Sequence, residues 1–169
     1  VCLLLLHVSA QTHPLTVSDL WAVQRVSGPS LSPDGRQAVI SVTSYNLDEN
    51  SSTGDLWILD TQGAAPRQLT QHVSREGDAT WSPDGQWIAF EQRQQLKKVA
   101  VSGGNPVVLV ELLQNQGNNW GPPGIAWGRN GTIVFPQALG VGLSSVRDGG
   151  GEAEVFTTLD PKASESSHR

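Results

Sequence analysis

The sequence predicts an all-β fold, because its composition and its repeats both indicate short strands joined by tight turns. It holds 18 glycines, 10 prolines and 6 tryptophans among 169 residues, a balance that favours strands over helices. Three segments resemble one another: LSPDGRQAVI at 31–40, WSPDGQWIAF at 81–90 and WGRNGTIVF at 127–135. Each precedes a second strand–turn–strand segment, at 55–70, 96–110 and 142–158. Four antiparallel strands per repeat, with turn glycines 50 and 46 residues apart, predict a partial β-propeller of about three blades.

The chain opens with an apolar stretch, VCLLLLHVSAQ, in which the small-residue pattern Val8-Ser9-Ala10 precedes a cleavage position. Such a pattern is typical of the end of a secretory signal peptide, so we interpret residues 1–10 as a signal-peptide remnant. The stretch is shorter than the roughly 20 apolar residues that span a membrane, and no membrane span is predicted. Because a signal peptide directs export, the predicted location is the periplasm or the outside of the cell.

The single cysteine, Cys2, has no second thiol for a disulfide or a cysteine-based zinc site.

Residues 11–27 form a leader in which the sequence predicts a short helix over residues 16–26. Thr16 is suited to cap this helix, and Asp19 falls in its first turn, where a negative charge is favourable. The three blades are predicted at residues 28–72, 77–111 and 124–159, and residues 160–169 form a linker to a missing blade.

About three blades fall short of a complete propeller, since propellers generally close with four to eight. The partners predicted for this chain are therefore the remaining blades or a C-terminal domain of a parent protein.

The repeated Ser-Pro-Asp-Gly turn raises the question whether Asp84 serves chemistry or bends the chain. Pro83 fixes one φ angle, Asp84 is able to bind nearby backbone amides, and Gly85 readily takes a positive φ. Because Asn130 stands at the same place in the third copy, turn formation explains the residue fully. We expect Asp34, Asp84 and Asn130 to lie in equivalent turns between the first and second strands of each blade.

The tryptophans recur at strand positions within the repeats, which favours packing between blades over ligand binding. This prediction covers Trp57, Trp81, Trp87 and Trp127. Trp120, in the segment NNWGPPG, is the one tryptophan that we expect as a surface contact.

Two family resemblances cover different parts of the chain. Residues 13–60, with an "LT-x-x-DLW" leader followed by "SPDG" and "DLW" strands, resemble the start of exported prolyl-oligopeptidase-type (S9) serine peptidases, and the likeness extends to about residue 92. Residues 81–169, through LKKVAVSGG, GTIVF and TTLDPKASESSHR, resemble the TolB-like (PD40) propeller of some bacterial receptor-type serine/threonine kinases. Either a natural propeller carries both patterns, or two related genes were joined at the shared segment 81–90. Both resemblances imply the same fold.

In S9 peptidases the catalytic serine lies in a separate hydrolase domain, on a Gly-x-Ser-x-Gly elbow. The nearest match here, GPSLS at 28–32, lacks the second glycine and carries a proline, so Ser30 is not predicted to be a nucleophile. The spacing of the four histidines supplies none of them with the partner that a general base needs, and we expect loop or terminal histidines at His7, His13, His72 and His168.

Two further patterns resemble known motifs without completing them, and a third is complete. Asn46, Asp48 and Asn50 alternate like the first ligands of a calcium loop, but the later glycine and glutamate are missing, which favours a polar loop. The segment GVGLSS at 140–145 lacks the final glycine of a dinucleotide fingerprint. Asn50 and Asn130 match the glycosylation pattern, and we interpret both as loop residues.

The charge distribution excludes one class of partner. The net charge is −5, and Lys97-Lys98 is the only adjacent basic pair, so the sequence offers no basic stripe for a nucleic acid. It predicts no catalytic, metal-binding or cofactor-binding residues, and it leaves the binding residues unknown. The resemblances imply a non-catalytic N-terminal propeller of an exported S9-like peptidase that gates access to a downstream hydrolase domain. The alternative is a TolB-like module that binds or senses peptides or envelope proteins.

Overall fold

The computed structural model describes residues 14–113, 124–136 and 142–160, which form one short helix and three four-stranded antiparallel sheets. The helix is α1 (Val17–Ala22). Sheet one contains β1 (Arg25–Leu31), β2 (Gln37–Asn46), β3 (Ser51–Asp60) and β4 (Arg67–Gln68). Sheet two contains β5 (Glu76–Trp81), β6 (Trp87–Gln92), β7 (Gln95–Ala100) and β8 (Val107–Glu111). Sheet three contains β9 (Ala126–Trp127), β10 (Thr132–Pro136), β11 (Leu143–Arg147) and β12 (Glu154–Val155).

In each sheet the strands neighbour one another in chain order, so every sheet is a simple up-and-down meander. The predicted all-β class and partial propeller with a short N-terminal helix are confirmed. The loop at residues 47–50 joins β2 to β3, which is where the polar loop was expected.

The three repeated turns occupy equivalent positions between the first and second strands of their sheets. The side-chain oxygens of Asp34, Asp84 and Asn130 each accept a hydrogen bond from the backbone amide two residues ahead, at 3.1, 3.0 and 3.2 Å. The glycine that follows each of them takes a φ of +70 to +75°, which glycine adopts without steric cost. The prediction of equivalent turns is confirmed.

The N-terminal helix begins as predicted but ends earlier. The Thr16 hydroxyl accepts from the Asp19 backbone amide at 3.2 Å, and the Asp19 carboxylate accepts from the Thr16 amide at 2.8 Å, a reciprocal cap. The helix ends at Ala22 instead of residue 26, because Arg25 and Val26 pair with β2 as the start of β1. Sheet pairing therefore overrides the helical pattern, and the first strand begins three residues before the predicted start of the first blade.

The sheets stack face to face on two apolar clusters. The cluster between sheets one and two consists of Val39, Leu56, Ile58, Leu69, Trp81, Ile88, Phe90 and Val99. The cluster between sheets two and three consists of Ala89, Leu96, Leu109, Ile133, Phe135 and Val146. Successive residues of β6 alternate between these clusters, so sheet two is covered on both faces, as expected for a strand between two layers.

The predicted packing role holds for two of the four repeat tryptophans. Trp81 is buried in the first cluster, and its indole Nε1 donates to the Ser30 carbonyl of sheet one at 2.9 Å. Trp127 packs against the second cluster. Trp57 and Trp87 are half-buried and belong to neither cluster. The pleat turns Trp57 away from sheet two, and the Lys98 ammonium lies 4.6 Å from the centroid of the Trp87 ring.

The outer face of sheet one has no covering layer among the described residues. Leu31 and Val26 point to this face and are 65% and 63% exposed, although Leu31 holds the repeat position that Trp81 fills in sheet two. Apolar side chains with this exposure are suited to packing against a further layer.

No helix within the described ranges is long and apolar enough to cross a membrane. Several predictions fall outside the described residues: the signal-peptide remnant 1–10 with Cys2 and His7, His13, Trp120, the start of the GVGLSS segment, His168, and all but Asp160 of the linker.

Candidate functional site

Ser30 lies within β1, where it pairs with Val39 of β2. Its carbonyl accepts the indole hydrogen bond of Trp81. A strand residue whose neighbours are Pro29 and Leu31 is not on the strained strand-to-helix turn that exposes a hydrolase nucleophile. The structure thus places Ser30 in the sheet, with its backbone paired to β2 and bonded to Trp81.

A serine, a histidine and an aspartate do meet in the link between β4 and β5, a group that sequence reasoning missed. The Asp55 carboxylate accepts from the backbone amide of His72 at 3.0 Å, and His72 Nδ1 accepts from the backbone amide of Ser74 at 2.9 Å. The Ser74 hydroxyl accepts from Arg93 Nε at 2.6 Å. In a catalytic triad the imidazole contacts the serine hydroxyl and the carboxylate contacts the imidazole. Here the Asp55 carboxylate and the His72 imidazole both accept from backbone amides instead, so these hydrogen bonds hold the link between β4 and β5 in place.

Glu76 is a carboxylate buried at the boundary between sheets one and two, with 1% of its surface exposed. One oxygen accepts from the Thr70 hydroxyl, the other accepts from Gln92 Nε2 at 2.6 Å, and Lys97 Nζ donates to the Gln92 side-chain oxygen. Burial raises the pKa of Glu76, the Thr70 hydrogen bond opposes this, the Asp55 charge adds to it and the Lys97 charge opposes it. These hydrogen bonds give both oxygens of the buried Glu76 carboxyl group a partner, and they link sheet one to sheet two.

Asp78 and Glu91 lie together in a narrow cleft between sheets two and three. The cleft is lined by Asp78, Glu91, Leu96, Leu112, Gly124, Ile125, Phe135 and Pro136. Burial raises the pKa of Glu91 to about 7, and the charge of Asp78 adds to the rise. Burial also raises the pKa of Asp78, while the charge of Arg75 opposes that rise. Both acids therefore have raised pKa values in a partly apolar cleft. Acids with perturbed pKa values in a cleft are typical of functional positions.

A β-bulge brings Asp78 beside Glu91. Gly77 pairs with Glu91 and Thr80 pairs with Ala89, so two residues of β5 oppose one residue of β6. Asp78 takes a φ of +52° in this bulge, a region that favours glycine. The equivalent bulge residue of sheet one is Gly28, and the equivalent position in the third repeat is Gly124.

The sequence carried a signal for Asp78 but none for its meeting with Glu91. Glycine stands seven residues before the turn glycine in the first and third repeats, and Asp78 stands there in the second. A residue that departs from glycine at a left-handed position requires an explanation, and aligning the three copies would have identified it.

No group of three His, Cys, Asp or Glu side chains able to surround a metal ion occurs in the described part of the chain. In the loop that resembles a calcium site, Asn46 Oδ1 accepts from the backbone amides of Asp48 and Glu49 at 3.1 and 3.3 Å. This oxygen therefore shapes the turn. Asn50 closes the same turn with a φ of +47°.

Comparison with known proteins identifies relatives of this architecture. Residues 32–100 match the model of the dipeptidyl peptidase IV (DPP IV) N-terminal region. The chain is 29% identical over 136 residues to the uncharacterized peptidase YuxL of Bacillus subtilis, covering 77% of this chain and 20% of that protein. It is 36% identical over 76 residues to dipeptidyl-peptidase 5 of Porphyromonas gingivalis, covering 45% of this chain and 11% of that protein. The chain thus spans a fifth or less of each relative.

Among solved structures, TolB from Agrobacterium tumefaciens superposes with a TM-score of 0.56 at 18% identity, covering 81% of this chain and 50% of TolB. At this identity the likeness shows the fold.

The match to one peptidase also bears on the join at residues 81–90. Any continuous stretch that covers 77% of the chain includes these residues and extends to both sides of them. One relative therefore matches residues on both sides of the shared segment. The chain is therefore a partial β-propeller that shares its fold with TolB, and over residues 32–100 it is similar to the N-terminal region of dipeptidyl peptidase IV.

Proposed function

We propose that this chain is the non-catalytic propeller of an exported S9-like serine peptidase and that it gates access of substrates to a hydrolase domain elsewhere in the parent protein. The observation that carries the proposal is the match of residues 32–100 to a peptidase N-terminal region. Both curated relatives are peptidases of which this chain spans a small share. Within the described residues, the one Ser–His–Asp group has contacts that do not support hydrolysis.

The arrangement of the sheets supports a gating role. The first strands of neighbouring sheets lie against one another, since β1 contacts β5 and β5 contacts β9. In a propeller the blades surround a central channel. A channel of this kind admits flexible peptides and excludes folded proteins by size.

Export is part of the same proposal. The apolar start of the chain and its Val8-Ser9-Ala10 pattern resemble the end of a signal peptide, which supports a location in the periplasm or outside the cell.

A TolB-like binding or sensing module is the second candidate, favoured by the fold likeness that extends over 81% of the chain. In this case the parent protein holds further blades and no hydrolase domain, and its ligands are peptides or envelope proteins.

The experiment is made on the full gene product that contains this chain. We expect it to cleave short chromogenic peptides and to leave the same peptide sequence intact when it is placed in a rigid loop of a folded protein. Equal cleavage of both substrates contradicts gating. Binding of envelope proteins without cleavage of any peptide contradicts the peptidase proposal and supports the TolB-like candidate.

A further inference from the structure

The cleft between sheets two and three combines two features that rarely occur together. Five of its eight lining residues are apolar: Leu96, Leu112, Ile125, Phe135 and Pro136. The two lining side chains that have polar atoms are the carboxyl groups of Asp78 and Glu91, which the β5 bulge holds next to each other. Two negative charges in such a setting repel each other and lose hydration, so the packing of the sheets here depends on the protonation of these acids.

We propose that the boundary between sheets two and three is a pH-sensitive joint, which is closed when Glu91 carries a proton and loosens when Glu91 and Asp78 are both ionised. The joint does not require any hydrolase activity, so it is tested independently of the proposed function.

On the side of sheet two, Asp78 is the group whose charge acts on the pKa of Glu91. Gly77 stands directly opposite Glu91 on β5, and Leu96 stands opposite it on β7, so neither cross-strand neighbour contributes a charge. Arg75 acts on Asp78, where it opposes the rise in pKa. Arg93, at the adjacent hairpin, is bound to the Ser74 hydroxyl.

Lys98 shares a face of sheet two with Glu91 but is held at the opposite end. Its ammonium lies 4.6 Å from the Trp87 ring centroid and donates to the Asp148 carbonyl at 2.6 Å. The Lys98 ammonium therefore forms its own contact between sheets two and three, away from Glu91.

On the side of sheet three, the described lining residues carry no charge. The segments 114–123 and 137–141, which adjoin the cleft in sequence, contain no ionisable residue. The acid pair thus has no counter-ion supplied by sheet three, and a proton is the species that removes its charge.

The direction of the effect follows from the two states of Glu91. In the closed joint its pKa is about 7, and in the open joint hydration returns the pKa toward the ordinary 4.5. The closed joint therefore binds the proton more tightly, and its advantage is complete below about pH 4.5 and lost as the pH rises through about 7. This difference sets an upper limit of about 300-fold on the change in the closed-to-open ratio.

Hydrogen exchange of the Gly151 amide reports on the joint, because this amide donates to the Leu109 carbonyl of sheet two at 3.1 Å. We compare the full chain with Glu91→Gln, which is neutral at every pH, so that the intrinsic exchange rate cancels at each pH. At pH 5 we expect equal exchange in both proteins. At pH 8 we expect exchange about tenfold faster in the unmodified chain, and an equal rate at both pH values overturns the joint.

Two further variants complete the test. Glu111→Gln removes an exposed acid of β8 that binds Gln95, and it should behave as the unmodified chain. Asp78→Asn retains the size of the side chain and tolerates the positive φ, and it should lower the midpoint of the Glu91 carboxyl titration followed by carbon NMR. An unchanged midpoint in Asp78→Asn contradicts the coupling even where Glu91→Gln does not fold.

Discussion

The residue that defines each repeat is the Asp or Asn that precedes the turn glycine, and its hydrogen bonds are local. In sheet two the Ser82 hydroxyl donates to Asp84 at 2.6 Å, and the Gln86 amide donates to the same oxygen at 3.0 Å. The Ser82 hydrogen bond is the main cause of the lowered pKa of Asp84. Each partner lies within two residues, which is why sequence reasoning was sufficient to assign the turn.

Replacing Asp84 tests this assignment. We expect Asp84→Ala to lower the free energy of unfolding by about 1 kcal/mol, since two hydrogen bonds to the turn are lost. Asp84→Asn should lower it by less than half as much, because Asn130 accepts the equivalent amide hydrogen bond in sheet three. Urea denaturation measures both changes, with Asp48→Ala in an exposed loop as the control. Equal losses in the two Asp84 variants would show that the turn requires a charge.

Glu76 provides a second test at the residue scale. Its pKa is raised in the folded protein above the ordinary 4.5, so its contribution to stability is complete below pH 4.5 and is lost as the pH rises through the folded value. Glu76→Gln should therefore lose less stability between pH 4.5 and pH 8 than the unmodified chain. Thermal unfolding across this range measures the difference, and Glu111→Gln is the matched control. A parallel pH profile for Glu76→Gln would contradict the assignment.

At the scale of elements, the sheets are linked by side chains that donate hydrogen bonds to backbone carbonyls of the neighbouring sheet. Trp81 makes one of these hydrogen bonds, to the Ser30 carbonyl. Arg67 Nη2 of sheet one donates to the Val101 carbonyl of sheet two at 2.5 Å, and Lys98 of sheet two reaches sheet three in the same manner. These hydrogen bonds supplement the apolar clusters, which supply most of the stability of stacked sheets.

The same repeat position in two sheets offers a matched pair of variants. Trp81→Ala should lower the free energy of unfolding by about 3–5 kcal/mol, because a large buried side chain is lost and a cavity remains. Leu31→Ala, at the equivalent but exposed position, should lower it by less than about 1 kcal/mol. Chemical denaturation measures both. Similar losses for the two variants would mean that sheet one and sheet two have the same environment, contrary to the stacking described.

Element boundaries were less predictable than element types. The capping residues Thr16 and Asp19 identify the start of the helix locally, but its end depends on the pairing of Arg25 with Thr43, eighteen residues away in sequence. The β5 bulge was missed for the same reason: Asp78 carries no helix, strand or turn signal of its own, and its meeting with Glu91 depends on the register between two strands.

At the scale of the whole molecule, the repeat pattern was sufficient to predict the stack of sheets, because each sheet has two apolar faces that require neighbours. It was not sufficient to predict which tryptophans fill the boundaries. Trp57 lies on the outer face of sheet one, where no described layer covers it, and strand position alone does not distinguish an outer face from an inner one. The acid pair of the cleft belongs to this scale too, since it acts between sheets.

We propose that the parent protein is a serine peptidase whose catalytic serine lies outside this propeller. This central claim is tested by treating the full gene product with a fluorophosphonate probe and locating the labelled serine by peptide mapping. We predict a single label outside residues 1–169 and none on the isolated chain. A stoichiometric label on a serine within these residues, such as Ser30 or Ser74, would contradict the claim, and so would a gene product that takes up no label at all.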